Sequence, residues 1–187
     1  MSEAIQSYKP KQFTIATDAG EKFDLTSSIL SVDYFEDILS PSIYMVAKCI
    51  NKYGPVSGLP VRGGEEIELD IDTAFGDFKF LGENESLRVY KVVGQEGNRF
   101  GENFTLMITT QERLKNELSR CMKKYTGKIS ESVKDVLTND LKTKKFLDEN
   151  IEESANAYKW MGSMRKPFKV LEWLCPKSLS VRGGETD

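Results

Sequence analysis

Gly58–Asp72 reads Gly-Leu-Pro-Val-Arg-Gly-Gly-Glu-Glu-Ile-Glu-Leu-Asp-Ile-Asp, a turn followed by a strand. In the turn, Leu59 to Gly64, Pro60 fixes φ for an extended entry, and Gly63-Gly64 opens backbone angles that a β-carbon forbids. Glu65 to Asp72 then alternate acid and aliphatic. Ile67, Leu69 and Ile71 fall on one face of the strand, and Glu66, Glu68, Asp70 and Asp72 on the other. One face is suited to a core. The other carries four like charges and belongs in water or a wet channel.

The flanking sequence has the same period. Upstream, Phe13 and Ile15 alternate in Gln12–Asp18, Asp18–Glu21 is a turn, and Lys22–Leu25 pairs back as a hairpin. Ile29–Leu39 begins as a strand and becomes mixed in its second half. Ser42–Asn51 is a strand ending at the turn signal Lys52-Tyr53-Gly54-Pro55. Downstream, Gly76-Asp77 breaks the acidic strand, and Asp77–Leu81 returns with Phe78 and Phe80 on one face. Leu87–Val93 is a strand, Gly94–Gly101 a glycine-rich loop, and Asn103–Thr109 another alternating strand. About seven strands in about 110 residues, joined by short turns, predict an antiparallel barrel or sandwich.

The period then changes. Thr110 is placed to cap a helix that carries Leu114, Leu118 and Cys121 on one face. Ser130 is placed to cap a second, with Val133, Val136, Leu137 and Leu141 at helical spacing, ending at Lys142–Lys145. Phe146–Glu153 is an acidic connector. Arg165-Lys166-Pro167 opens a third helix, with Pro in the first turn, where a missing N–H costs nothing. Phe168, Val170, Leu171, Trp173 and Leu174 form its buried side, and Pro176 stops it. The expected fold class is α+β. Residues 11–121 form an antiparallel β-barrel with a closing helix, and residues 122–178 a smaller helix-rich α+β segment. A polar arm (1–10) precedes them and a linker (179–187) follows. The echo of Val61–Glu65 in Val181–Glu185 lacks any following alternation and is read as coincidence.

The chain of 187 residues is 39% hydrophobic and 29% charged, the composition of an ordinary globular protein. No apolar run approaches the roughly 20 residues of a membrane span, so no membrane anchor is expected. The N-terminal residues lack the basic and apolar regions of a signal peptide. Net charge is −3, unevenly placed. Residues 1–110 hold 10 Lys and Arg against 17 Asp and Glu, and residues 111–187 hold 16 against 12. The acidic first part argues against nucleic-acid affinity there.

With no histidine, the chain has no Ser-His-Asp triad, Cys-His dyad or His-ligated zinc. Cys49, Cys121 and Cys175 lack metal-site spacing and read as free thiols of a reducing compartment. Gly127-Lys128 resembles the end of a phosphate loop, but Met122 stands at the first glycine position and Ile129 where Ser or Thr would hold magnesium. Asp70-Ile71-Asp72 sits in a strand rather than in a calcium loop. Glu65-Glu66 and the row Glu66, Glu68, Asp70, Asp72 could space two carboxylates for glycoside hydrolysis, about 5–10 Å apart, yet nothing tunes one acid against another. Tyr158, Trp160, Phe168 and Trp173 read as core rather than a base-stacking platform. No catalytic, cofactor-binding or metal residue is assigned, and an enzyme is not expected.

Two stretches carry a resemblance. Gly58–Leu69 resembles the "lP-hydrophobic-RgGE-x-hydrophobic" signature in the first domain of baseplate central hub proteins of contractile-tailed bacteriophages, of the T-even and cyanophage type. Ile129–Leu137, then Trp160 and Arg165–Leu174, resembles that family's later pattern: a short helix, then an Arg-Pro-Phe-type element opening a helix that ends in Trp-Leu. The resemblance covers residues 12–178. It implies a structural virion protein, made in the host bacterial cytoplasm, whose tube-like β-barrel domains form a homotrimeric ring. The ring joins the tail tube protein to the central spike protein and meets other baseplate components. DNA passes through its channel without specific binding, and the family is related to type VI secretion spike hubs. A hub of this family carries two tube-like domains and only one is visible here, which suggests the N-terminal part of a longer hub. In such a ring the acidic row is expected to line the channel and repel DNA phosphates. Two alternatives remain on the residues alone: a small-ligand-binding β-barrel with an apolar cavity, and a carboxylate-dependent cell-wall hydrolase using Glu66 and Glu68.

Overall fold

A computed structural model describes residues 9–17, 20–51, 61–73, 76–82, 87–98, 101–143 and 150–181. The chain divides into two compact units, Met1–Gln111 and Glu112–Asp187.

The first unit is an antiparallel sheet. Its strands are β1 (Lys9–Ala16), β2 (Lys22–Asp24), β3 (Ile29–Phe35), β4 (Tyr44–Asn51), β5 (Glu66–Thr73), β6 (Gly76–Phe80), β7 (Leu87–Asn98) and β8 (Gly101–Thr110). The order is β2-β1-β5-β7-β8-β4-β3, with β6 paired to the second half of β5. The path ends at β2 and β3, and no ladder joins these two among the described residues, so the sheet is open rather than the hydrogen-bonded barrel the strand spacing predicts. β2, at three residues, offers little edge for a further ladder. The chain passes from it to β3 through a 3-10 turn, Thr26–Ser28. Asp24 builds that turn by accepting the Thr26 N–H at 2.8 Å.

Period-two alternation places the core as expected. Ile67, Leu69 and Ile71 of β5 are buried with Phe13 and Ile15 of β1. So are Leu87, Val89, Phe104, Leu106 and Ile108 of β7 and β8. Each such side chain contributes about 1.5–3 kcal/mol by leaving water, so one continuous apolar face fixes the register of β1, β4, β5, β7 and β8. Within the stretch expected as a loop, Gly94–Gly101, residues 94–98 instead extend β7 and Gly101 begins β8. Glu96 pairs with Asn103 and Asn98 with Gly101, after an irregularity between Val93 and Glu96. Gly94, at φ +67°, accommodates that bulge. The mixed second half of Ile29–Leu39 leaves the sheet after Phe35. Asp37 accepts the Leu39 N–H at 2.9 Å and bends the chain away.

The second unit holds α1 (Gln111–Leu118), β9 (Lys124–Tyr125), α2 (Ile129–Asp135), β10 (Trp160–Met161) and α3 (Pro167–Leu174). β9 and β10 form a two-stranded antiparallel ribbon. Tyr125 and Trp160, partners across it, stack with ring centroids 4.0 Å apart and planes 3° apart. Trp173 meets the edge of Trp160 at 5.8 Å. The sequence grouped the first helix with the β part. Its contacts lie instead in the second unit: Asn116 Oδ1 accepts the Phe168 N–H at 2.8 Å, and Glu112 accepts the Thr143 hydroxyl at 2.8 Å. Leu118 is exposed and Asn116 is the buried position, so the expected Leu114–Leu118–Cys121 stripe is not what α1 buries.

Neither expected hydroxyl cap forms. The Thr110 hydroxyl is buried without a hydrogen-bond partner among the described residues. Helix α2 starts at Ile129, after Lys128, whose N–H is accepted by Glu131 at 3.2 Å. Ser130 lies inside the first turn and exchanges hydrogen bonds with buried Ser154, at 3.1 and 3.2 Å. Beyond Asp135 the helix widens into a π turn, Val136–Asp140, in which the Leu141 N–H reaches Val136 O at 3.0 Å. That widening brings Val136 and Leu141 both to buried positions. The third helix follows its sequence signals, with Pro167 at its start and a 3-10 turn, Cys175–Lys177, after it. Among the described residues no helix is long and apolar enough to cross a membrane.

Candidate functional site

The turn before β5 is held by Glu65. Its carboxylate is buried and accepts the Arg62 N–H at 2.5 Å and the Gly63 N–H at 2.8 and 3.1 Å. Gly63 and Gly64 have φ of +107° and +103°, values that a side chain strains. The turn is then tied to β7: Gly64 N–H donates to Val89 O at 2.7 Å, Val89 N–H to Glu65 O at 3.0 Å, and Arg88 Nη1 to Gly64 O at 3.0 Å. Arg-Gly-Gly-Glu thus works as a structural clasp. Leu59 and Pro60 lie outside the described residues, as do the arm at 1–8 and the Gly-Gly echo at 183–184. Sequence reasoning missed the role of Glu65, although a signal was there. Counting by twos from Ile67 puts Glu65 on the core face, where a carboxylate needs hydrogen-bond donors.

The acidic row on the other face of β5 is half-buried and faces cations from neighbouring strands. Glu66 lies 3.5 Å from Arg88, Glu68 2.9 Å from Lys22, and Asp72 2.5 Å from Lys11. Gln12 adds a hydrogen bond to Glu68 at 3.0 Å. Asp70 is the register partner of Lys79, and its Oδ1 is buried without a hydrogen-bond partner among the described residues. Ion pairing holds the Lys22 ammonium above its usual pKa through Glu68, and Lys11 through Asp72. The expected bare anionic face is therefore charge-compensated. Three of the four acids are ion-paired, and Lys79, opposite Asp70, pairs with Asp77 at 2.8 Å, so the row is not the uncompensated surface that the strand alone implies.

Elsewhere, Cys49 is buried and its thiol is pushed up to about 12 by burial. Cys121 is also buried, and its thiol, pushed to about 12 by burial and by Asp140, donates to Asp140 Oδ2 at 3.4 Å. Cys175 is exposed. No group of three or more Cys, Asp or Glu capable of holding a metal is found among the described residues. An open cavity of about 450 Å³ lies beside the β3–β4 loop, between Tyr34, Glu36, Asp37, Ser40 and Tyr44. Its lining mixes three aromatic rings, Tyr34, Phe35 and Tyr44, with Glu36, Asp37, Ser40 and Ser42, and it is open, unlike the enclosed apolar interior that a small-ligand barrel calls for.

The chain has the fold of a phage tail protein of known structure. It matches the crystal structure of the 43 kDa tail protein of prophage MuSo2 from Shewanella oneidensis with a TM-score of 0.57 over 89% of its length, at 9% sequence identity. It spans about half of that protein, covering 49% of its chain. No protein-family model matches the chain, and no curated protein matches it in sequence.

Proposed function

We propose that this protein is a structural component of a bacteriophage tail, and within the tail a subunit of the baseplate hub. Three copies form a ring that joins the tail tube to the central spike. The observation that carries the reading is the fold likeness to a prophage tail protein over 89% of the chain. The ordered motifs at Gly58–Leu69 and Arg165–Leu174 supply the finer assignment to a hub.

In this reading the first unit works as a tube-like barrel. Two features support that. The sheet's end strands, β2 and β3, are consecutive in the chain across the Thr26–Ser28 turn. Tyr34 of β3 also meets Phe78 of β6 at 5.2 Å, so two strands that do not pair touch through side chains. The protein acts by assembly and not by catalysis. The Glu65 clasp sets the entry of β5, and the paired charges along β5 stiffen the wall.

The test is co-assembly of the purified chain with the tail tube and spike proteins of the same phage, followed by size-exclusion chromatography. Co-elution with both is expected. A chain that elutes apart from each partner contradicts the hub assignment.

A further inference from the structure

The two units carry complementary surfaces that the reading above does not use. The first is the β3–β4 loop. Ile38 is 99% and Leu39 86% exposed, and Phe35 beside them is exposed as well. Asp33, Glu36 and Asp37 accompany them, and no Lys or Arg occurs between Lys22 and Lys48. Glu36 and Asp37 also border the open cavity of about 450 Å³.

The second surface is the β9–β10 ribbon. Met122, Met161 and Met164 are 67%, 63% and 62% exposed. Met161 is the cross-strand partner of Lys124, so their side chains share a face. The segments Ser119–Tyr125 and Tyr158–Lys166 contain six cations and no acid. Lys123 and Lys166 are engaged with Asp135 and Glu117. Lys124 and Lys159 are exposed and have no ion-pair partner among the described residues. Backbone geometry holds the ribbon rigid: Met164 N–H donates to Cys121 O at 3.1 Å and Gly162 N–H to Lys123 O at 3.0 Å. A β-carbon on Gly162 would lie 2.3 Å from Cys121 O, so only glycine fits there.

An exposed apolar tip within an anionic segment matches exposed methionines within a cationic one in both terms of association, apolar burial and charge. Methionine also adapts its shape to what it meets. We infer that copies of this chain join head to tail, the Phe35–Leu39 loop of one copy seated on the methionine–lysine ribbon of the next. The occupant is a second copy because this one sequence carries both halves of the match. A contact between unlike surfaces of identical chains is heterologous, the kind that closes into rings. The inference rests on the ring proposed above and names its subunit contact.

Sedimentation of four forms of the 187-residue chain tests it: wild type, D33K/E36K, K124E/K159E, and the chain carrying all four changes. Each charge-reversed pair is expected to weaken self-association about tenfold or more, and the combination to restore it to within about threefold. I38S/L39S is expected to weaken association with either charge arrangement. Circular dichroism and tryptophan fluorescence, unchanged in all of them, show that the exposed substitutions leave the fold intact. Oligomers that persist in every variant, or a quadruple variant no better than its parents, overturn this contact and leave the ring standing. A wild-type chain that does not self-associate removes the ring, and this contact with it.

Discussion

Replacing Glu65 with alanine removes the buried, charged acceptor of the Arg62 and Gly63 N–H groups. The cost expected is about 1–3 kcal/mol, read as a lower urea midpoint for the first unit. Glu68→Gln, on the wet face of the same strand, is expected to shift it far less, because ion pairs near the surface contribute about 0–1 kcal/mol. The contrast between the two glutamates is also the measure of what the sequence disclosed. Faces could be read from period two, since burial follows it. Partners could not, since Lys11, Lys22 and Arg88 reach the row from strands whose neighbours are set by the whole sheet. A second residue-scale expectation concerns pH. Burial and Glu36 push the Tyr34 hydroxyl up to about 12, and burial does the same to the Cys49 thiol. Both groups keep their protons longer when folded, so the stability they confer is whole below about pH 8.5 and falls as pH rises toward 12. Urea midpoints measured across that range are expected to decline. A flat profile contradicts the burial of both groups.

Among the elements, α3 shows how one helix can depend on another. Its own entry residue, Lys166, offers no acceptor, and Asn116 on α1 accepts the Phe168 N–H instead. Asn116→Ala is expected to destabilise the second unit by about 1–2 kcal/mol, as loss of an N-cap does. Both tryptophans, Trp160 and Trp173, lie in that unit, so fluorescence-monitored unfolding reads the change directly. An unchanged midpoint contradicts the capping role. α3 itself was legible from Arg165-Lys166-Pro167 and its apolar positions. The cap was not, because it comes from 52 residues away and local spacing carries no trace of it. The same holds for α2, whose apolar spacing fits a continuous helix while packing widens its last turn. The extension of β7 through Asn98 was missed for a related reason. Glycines that normally punctuate strands here permit a bulge within a ladder.

At the scale of the whole molecule, alternation over residues 12–109 pointed to an antiparallel sheet, and the described strands form one with the expected core face. Whether the sheet closes depends on how β2 and β3 meet, which a two-residue period does not encode. The proposed role is also a property of this scale, since a ring subunit is defined by contacts between copies. The direct measurement is the mass of the purified chain by sedimentation equilibrium over a range of concentrations. The account predicts a species at three times the 21.2 kDa chain mass. A single species at the mass of one chain across the whole range would contradict it.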